Sequence, residues 1–364
     1  MKKKLIALLT LFAMGVNASV FAVGASSETA AHAAPSSDVV RMLPASDMVM
    51  TVDVRRVLDE MVPRILAGKP ALLAEVRSAL AEVQKTVGID PRSLGSIAMG
   101  IRFKKIDPND PQFEFAAIAR GDINANALMG IARLGANGKY REEKIGERVV
   151  YIFRVEDKIT KKVTQTAAKT ARTGTRARLA AKGKAAKPAA KSAPDPFEEI
   201  AVTAYDPNTL VMGTPAHVRE TIAGTALIST ELASLLPADG SSIFAFAGQM
   251  PAGLETAVPL QNDELGKIIR SIGFVAGSMN LRDGGAEMRL LARTGLPEQA
   301  QSLLETIQGL QTIGKAFLSS AKKPEQQVIG RMLESAKTTR QGSDVILDLS
   351  IPSSDLDMLI AQIK

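Results

Sequence analysis

Histidine and cysteine, the residues that most often carry nucleophilic and metal chemistry, are nearly absent from this chain. It contains two His residues, His32 and His217, and no Cys. His32 lies close to the N-terminus, and no Gly-x-Ser-x-Gly sequence offers a nucleophilic Ser to His217. A zinc site would need carboxylates alone, which is unusual. We therefore expect His217 to be a surface or half-buried helix residue without a catalytic or metal-binding role.

Paired carboxylates could supply acid–base chemistry without His. Adjacent pairs occur at Asp59-Glu60, Glu142-Glu143 and Glu198-Glu199, but neighbouring residues on a helix or strand point apart. Residues 107–110 (Asp-Pro-Asn-Asp) resemble part of a calcium loop without its Gly and terminal Glu. Phosphate-loop and dinucleotide-binding fingerprints are missing from the sequence. These patterns predict a protein that is not an enzyme and that holds no cofactor and no metal.

A basic stretch is the segment with the most evident partner class. Residues 158–191 contain eleven Lys or Arg and no acidic residue, which favours an anionic envelope surface or polymer. Aromatic residues make up 4% of the chain, so sequence-specific nucleic-acid binding is not expected. A loop without a dedicated ligand, or one that contacts the acidic body of its own chain, is the alternative. The predicted polyanion-binding residues are Lys169, Arg172, Arg176, Arg178, Lys182, Lys184, Lys187 and Lys191.

The net charge of the whole chain differs in sign from the charge expected for its body. The chain has 45 Lys and Arg residues against 38 Asp and Glu, a formal net charge of +7. Eleven of those cations belong to the basic stretch and three more lie at residues 2–4, which leaves 31 for the rest of the chain. The body of the protein is therefore expected to carry a charge near −7.

The N-terminus has the pattern of a secretory signal. Three Lys residues precede an uncharged, mostly apolar run at residues 5–16, which is too short to span a bilayer comfortably. Small residues follow, and they favour cleavage after Ala22, before Val23, with Ala25 and Ala33 as alternatives. The sequence predicts an exported protein, periplasmic or secreted, that has no transmembrane segment once residues 1–22 are removed.

The elements that would position any site occur in two similar series. Each series has a Pro-containing turn before a short apolar strand, then a hairpin, a helix and further strands. The hairpins are predicted at residues 97–120 and 274–293, and Asp-Gly and Gly-Gly supply the tight turn of the second. We expect an α+β fold of two related units, each an antiparallel sheet with helices packed on one face. The predicted segments are a leader at 23–38, a first unit at 39–230, a disordered insert within it at 157–196, and a second unit at 231–364.

Two local expectations follow from periodicity and composition. Apolar residues at helical spacing between Leu72 and Val87, with Gly88 after them, predict a helix packed on a sheet. The basic stretch has almost no large apolar residues and cannot offset the entropy of ordering. It should therefore bridge two strands of one sheet, the first reaching Phe153 and the second starting at Ile200.

The chain resembles uncharacterised families of exported bacterial proteins, which have a repeated strand–helix–hairpin unit. The resemblance lies in Leu43–Val52, in Gly88–Pro91 leading to Ile97, in Ile118–Asp122 and in Leu210–Val218. It covers about half of the mature chain loosely. It implies a fold and no catalytic residues, because such families have no assigned activity.

The function predicted first is a non-catalytic envelope or secreted binding module with a basic flexible loop. The alternative from another class is a carrier or chaperone-like module that holds an apolar ligand between sheet and helices. A large apolar cavity would favour the carrier. A cluster of carboxylates in a cleft would favour an enzyme instead.

Overall fold

The structure is a computed structural model, and it describes residues 35–105, 112–154, 198–225, 227–237, 240–250, 263–282, 285–320 and 323–361. The predicted signal with its cleavage residues Ala22 and Val23, His32 and the eight predicted polyanion-binding residues lie outside the described residues. The first described element is a helix that begins at Pro35, so the end of the predicted leader, before Val39, is helical.

The described strands form a single twelve-stranded sheet, in which every pair of neighbours is antiparallel. Across the sheet the order is β11-β12-β10-β9-β8-β1-β2-β3-β7-β6-β5-β4. The strands are β1 Met48–Asp53, β2 Leu94–Lys105, β3 Gln112–Gly121, β4 Tyr140–Ile145, β5 Arg148–Arg154, β6 Glu199–Asp206, β7 Thr209–Gly213, β8 Phe244–Gln249, β9 Ile272–Arg282, β10 Gly285–Thr294, β11 Lys337–Gln341 and β12 Asp344–Pro352.

Helices connect these strands on both sides of the sheet. They are α1 Pro35–Arg41, α2 Val54–Arg56, α3 Val62–Ile65, α4 Pro70–Val87, α5 Ala125–Ala136, α6 Pro215–Ala223, α7 Thr230–Ser234, α8 Asp263–Arg270, α9 Pro297–Leu318, α10 Pro324–Ser335 and α11 Ser353–Ala361. A π-helical segment, Val57–Met61, joins α2 to α3. None of the described helices has both the length and the apolar character that crossing a bilayer requires.

The α+β class predicted from the sequence is confirmed, but the two expected sheets are joined into one. β1 of the N-terminal half pairs with β8 of the C-terminal half, and Val49 lies opposite Ala247. This pairing is long-range in sequence and places both strands in the middle of the sheet. The sheet therefore has no internal edge between the halves.

One side of the N-terminal half of the sheet is tightly covered by helices. Directly paired residues point to the same side of a sheet, so the register defines a row of mostly small residues across seven strands. These residues, named here the small-residue row, are Ala247, Val49, Gly100, Ala116, Gly213, Ala201 and Ile152. All seven are buried, and Leu43 beside α1, Val218 in α6 and Leu232 in α7 belong to the same hydrophobic core. Small side chains allow these helices to lie close to the strands.

The C-terminal half of the sheet is covered mainly from the other side. Leu303 of α9 packs with Val345 of β12. Met332 of α10 and Leu356 of α11 pack around Leu349. The segment 54–65 joins this core through Val57, Met61 and Val62. The two halves of the continuous sheet are therefore covered mainly on opposite sides.

The predicted helix from Leu72 to Val87 exists as α4, and Gly88 ends it in the left-handed conformation at φ 72°. It does not pack on the sheet. Leu73, Val76 and Leu80 instead line a shallow pocket against the segment 54–65. The expected packing was wrong because the chain between β1 and β2 forms a helical arm beyond the strand ends.

The two ends of the basic insert lie side by side, as the sequence predicted. Phe153 of β5 pairs directly with Ile200 of β6, and Arg154 pairs with Glu199. The Arg141 guanidinium on the neighbouring strand β4 forms a bidentate ion pair with Glu199, with N–O distances of 2.6 and 2.8 Å. The insert therefore leaves and re-enters the fold at one point of the sheet.

Candidate functional site

His217 is fully buried, contrary to the expectation of a surface or half-buried residue. It lies in α6, whose N-cap is Thr214 and whose first residue is Pro215. The Thr214 hydroxyl bonds to the backbone of Phe115 rather than to the helix, which fixes α6 on β3. The helix thus presses His217 against the strands β2 and β3, and its side chain has 0% exposure.

Charged side chains from three elements surround the imidazole. Arg102 of β2 places Nη2 at 3.0 Å from Nδ1 of His217, and it also pairs with Glu220. The carboxylates of Glu114 and Glu220 each lie at 3.6 Å from Nδ1. Lys104 in turn pairs with Glu114 at 2.5 Å. His217 is therefore the buried centre of a cluster with two cations and two anions.

The environment of His217 keeps its ring neutral. Burial is the main cause and the positive charge of Arg102 the second, and together they lower the pKa of His217 from 6.5 to about 4. A neutral Nδ1 accepts a hydrogen bond from Arg102. Because the ring has no exposed surface, no substrate can reach it. The cluster joins α6 to the strands β2 and β3.

The adjacent carboxylate pairs point apart, as expected from strand geometry. Glu143 forms an ion pair with Arg219 on α6, whereas Glu142 contacts Arg133 on α5, on the other side of the sheet. Asp59 and Glu60 likewise pair with different residues, Arg92 and Arg56. Among the described residues no group of three or more His, Asp or Glu side chains is arranged to hold a metal ion.

Two small, open pockets lie in the described part of the chain. One pocket of about 160 Å³ lies between α4 and the segment 54–65. Another, of about 130 Å³, lies at the ends of β1 and β2 and is lined by Asp53, Arg55 and Ser96 among others. Small-molecule sites usually measure about 300–1,000 Å³. Neither pocket is the large apolar cavity that a carrier would need.

The most unusual surface is the other side of the N-terminal half of the sheet. Here the register aligns a second row across the same seven strands. These residues, named here the apolar row, are Phe246, Met50, Met99, Ala117, Met212, Val202 and Tyr151. Phe246 is 8% exposed and Met212 is 39% exposed, and the other five are intermediate. The row therefore reaches solvent, although none of its members is charged.

The rows on either side have the same character. Met48 lies opposite Ile101, and Val52 lies opposite Ile97, and all four are partly exposed. Val52 also packs against the core of the C-terminal half, so the face ends there. The helices α1, α6 and α7 cannot cover these side chains because they pack on the small-residue row, on the opposite side. We name this surface, formed by the apolar row and its two flanking rows, the apolar face.

The far end of the apolar face is bordered by α5. The Arg133 guanidinium of this helix lies over the ring of Tyr151, 4.9 Å from its centroid, and 5.7 Å from that of Tyr140. Tyr140 and Tyr151 also meet edge to face, with centroids 5.8 Å apart. These contacts fix α5 at the rim, where Leu134 remains 82% exposed.

The sequence did not predict the apolar face, because the strands that form it have the apolar composition of ordinary buried strands. Side-chain burial alternates along β1, where Val49 is buried and Met50 is partly exposed. Because both side chains are apolar, the sequence alone does not show this alternation. The usable signal is the placement of methionines at every second position, as in Met48 and Met50. That signal does not reveal which side lacks a cover.

No protein-family model matches the chain, and no curated protein matches it. The solved structures of crystal forms I, III and IV of TP0453 are similar to it at 11% sequence identity each, with TM-scores of 0.41, 0.43 and 0.44. The similar regions cover 89%, 90% and 89% of this chain and 96%, 98% and 97% of those chains. At such TM-scores the similarity supports no conclusion about this chain.

Proposed function

We propose that this protein is an exported, non-catalytic binding protein and that the apolar face is its binding surface. The observation that carries the proposal is the apolar row, in which partly exposed Met, Val, Ala and Tyr side chains follow one another across six adjacent strands beside the nearly buried Phe246. An antiparallel sheet with one solvated side normally carries polar residues there. A large contiguous apolar patch on a monomer marks an interaction site.

The chemistry of the face suits a binding partner that is apolar and extended. Methionine side chains are unbranched and polarisable, so they adapt to partners of varied shape. Met50 and Met99 are direct cross-strand neighbours, and Met212 lies two strands further along the row. Neither of the two small pockets is lined by residues of the apolar row, which favours a protein surface over a small molecule held in a pocket.

The predicted export and the basic insert both fit a binding protein of the cell envelope. The signal-like N-terminus supports an envelope or secreted location, and the insert supplies positive charge to a body that is otherwise acidic. The insert begins and ends beside Arg154 and Glu199 at the strands β5 and β6, next to the Tyr151 end of the apolar row. An anionic envelope surface or polymer bound by the insert would therefore be held near the apolar face.

We infer in addition that the two halves arose by duplication. Counting outward from the centre, the strands β1-β2-β3-β7-β6 and β8-β9-β10-β12-β11 follow the same order. A helix follows β3 and β10, and another follows β7 and β12. The hairpin β4–β5 and the basic insert have no counterpart among the described residues of the C-terminal half.

The binding surface can be tested with N-phenyl-1-naphthylamine, an uncharged dye that fluoresces in apolar surroundings. The wild-type protein should enhance its fluorescence. Met212→Glu should reduce this enhancement strongly, because it places a carboxylate in the apolar row at an already exposed position. The matched control is Leu227→Glu, since Leu227 is 53% exposed and pairs with Pro44, next to α1 on the opposite side of the sheet. Equal dye binding by both variants, or none by the wild type, would reject the surface.

A further inference from the structure

A group of polar side chains lies at one end of β1 and β2, away from the apolar face. The pocket of about 130 Å³ at this place is lined by the end of β1, the start of β2, the first residues of α2 and the loop before β8. Thr51 and Asp53 follow Val49 at every second position of β1, so their side chains emerge on the side of the small-residue row. These polar groups therefore lie on the opposite side of the sheet from the apolar face.

Ser96 lines this pocket with a buried hydroxyl group that lacks a hydrogen-bond partner. The residue is 5% exposed, and its Oγ forms no hydrogen bond with any described residue. Buried polar atoms are nearly always hydrogen-bonded, and leaving one without a partner destabilises a fold. A molecule bound in the pocket can supply the hydrogen bond that the protein does not supply. The hydroxyl of Ser96 therefore indicates a ligand site.

A β-bulge directly precedes Ser96. The register of β2 with β3 shifts between Leu94 and Ser96, so Gly95 is an extra residue in β2. Bulges redirect the neighbouring side chains and occur frequently beside functional sites. Ser96 is also the direct partner of Asp53 in β1, so these two side chains emerge on the same side of the sheet. The buried hydroxyl and the carboxylate of Asp53 therefore belong to one site.

Two opposite charges line the same pocket without pairing with each other. One carboxylate oxygen of Asp53 accepts a hydrogen bond from the Arg56 backbone N–H at 2.9 Å, and Nε of Arg55 donates to the Arg92 carbonyl. Among the described residues, the other oxygen of Asp53 and the terminal nitrogens of Arg55 have no partner. The Arg56 side chain, in contrast, is already paired with Glu60. The pocket therefore offers one unpaired anion and one unpaired cation.

Two more hydroxyl groups complete the lining. Thr51, which is 8% exposed, and Ser242 both line the pocket. Neither hydroxyl forms a hydrogen bond with another residue that the structure describes. A hydroxyl group both donates and accepts hydrogen bonds, so each can bind a positively or a negatively charged group. Gly95 and Gly240, which have no side chains, leave space for a ligand.

We propose that this pocket binds a small zwitterion, a free α-amino acid, through its ammonium and carboxylate groups. The ligand carboxylate accepts hydrogen bonds from the Arg55 guanidinium, and the ligand ammonium donates to Asp53 and Ser96. A simple anion would be repelled by Asp53 and a simple cation by Arg55, whereas a zwitterion is attracted by both. The volume of about 130 Å³ equals that of about four waters at ~30 Å³ each, which accommodates glycine. Because the pocket is open, a side chain on the ligand can extend into solvent.

Isothermal titration calorimetry with glycine as the probe tests the proposal. The wild-type protein should bind one glycine per chain. Acetate, methylammonium and glycerol should each bind roughly 10-fold more weakly or worse, because each lacks at least one of the two charges. Binding of acetate, methylammonium or glycerol as tight as that of glycine would overturn the assignment of a zwitterion. The absence of glycine binding throughout the millimolar range would overturn the site itself.

Variants assign the binding to the side chains of the pocket. Arg55→Gln should weaken glycine binding roughly 10-fold or more because it removes the charge that holds the carboxylate, and its matched control Arg41→Gln, at an exposed position of α1, should bind like the wild type. Ser96→Ala should also weaken binding, yet its melting temperature should be unchanged or raised, because it removes a buried group without a partner. Met212→Glu, on the apolar face, should bind glycine normally. Unchanged glycine affinity in Arg55→Gln or Ser96→Ala would overturn the proposal.

Discussion

Phe153 and Ile200 are direct partners across β5 and β6, although the whole basic insert separates them along the chain. The pairing means that the insert spans almost no distance between its ends. The cost of closing a flexible loop grows slowly with its length, roughly 0.6 kcal/mol per doubling. We therefore expect the fold to tolerate changes in the length of the insert.

Replacing residues 161–194 by a short Gly/Ser turn should leave the melting temperature unchanged or slightly raised. The same deletion removes ten positive charges, so binding to anionic vesicles or polyanions should vanish. In the intact protein that binding should weaken steeply with salt, since screening acts within about 10 Å at 0.1 M. A salt series on both proteins measures this. Unfolding of the shortened protein would show a structural insert, and retained polyanion binding would place the site on the body.

The mature N-terminus is expected at Val23, with Ser26 as the second choice, because Ala22 and Ala25 both fit the small-residue requirement of a signal peptidase. N-terminal sequencing of protein recovered from the envelope or the medium decides between them. Intact Met1 in that material would contradict cleavage.

Acid should destabilise the protein through His217. The folded protein holds the pKa of His217 at about 4, below its ordinary value of 6.5, so between these pH values the unfolded chain binds more protons. The stabilisation is present above pH 6.5 and is lost as the pH falls toward 4, by up to about 3 kcal/mol. Urea unfolding near pH 7.5 and near pH 4.5 measures the loss.

His217→Gln is the matched variant for this experiment. Gln keeps a hydrogen-bond acceptor for Arg102 but does not titrate. The variant should lose less stability than the wild type over the same pH interval. Parallel losses in the two proteins would show that His217 is not the source of the acid sensitivity.

Gly213 should not tolerate a side chain. A Cβ there would lie 2.1 Å from the Phe115 carbonyl oxygen, so Gly213→Ala should lower the free energy of unfolding by about 3 kcal/mol. A Cβ on Gly130 in α5 would meet no atom within 4 Å, and Gly130→Ala should stabilise the protein by about 0.5–1 kcal/mol. Urea unfolding of both variants checks the contrast. Equal effects would mean that the end of β7 can move away from β3.

Local signals predicted most individual elements. The hairpin β9–β10 follows from two apolar alternating runs around a glycine turn, and its strands, Ile272–Arg282 and Gly285–Thr294, agree with the expectation within a few residues. β4 and β11 were missed because Tyr140–Ile145 and Lys337–Gln341 are rich in polar and charged residues. Edge strands need such residues and so lose the apolar signature of a strand.

Long-range relationships explain the remaining differences. The pairing of Val49 with Ala247 leaves no trace in either segment, so the sequence predicted two sheets where there is one. The burial of His217 depends on Arg102 and Glu114 in strands far from α6 in sequence. The partial exposure of Met99 and Met212 depends on the arrangement of all the described helices, which periodicity cannot report.

The pairing of β1 with β8 makes each half of the sheet depend on the other. Each of these strands is protected from solvent by the other half of the chain, and both are rich in apolar residues, with Val49 and Ala247 at the centre. A proteolytic cut between the halves, followed by their separation, would convert two interior strands into unguarded edges that can pair with other chains. We therefore expect either half to aggregate, or to be degraded in the cell, once it is separated from the other.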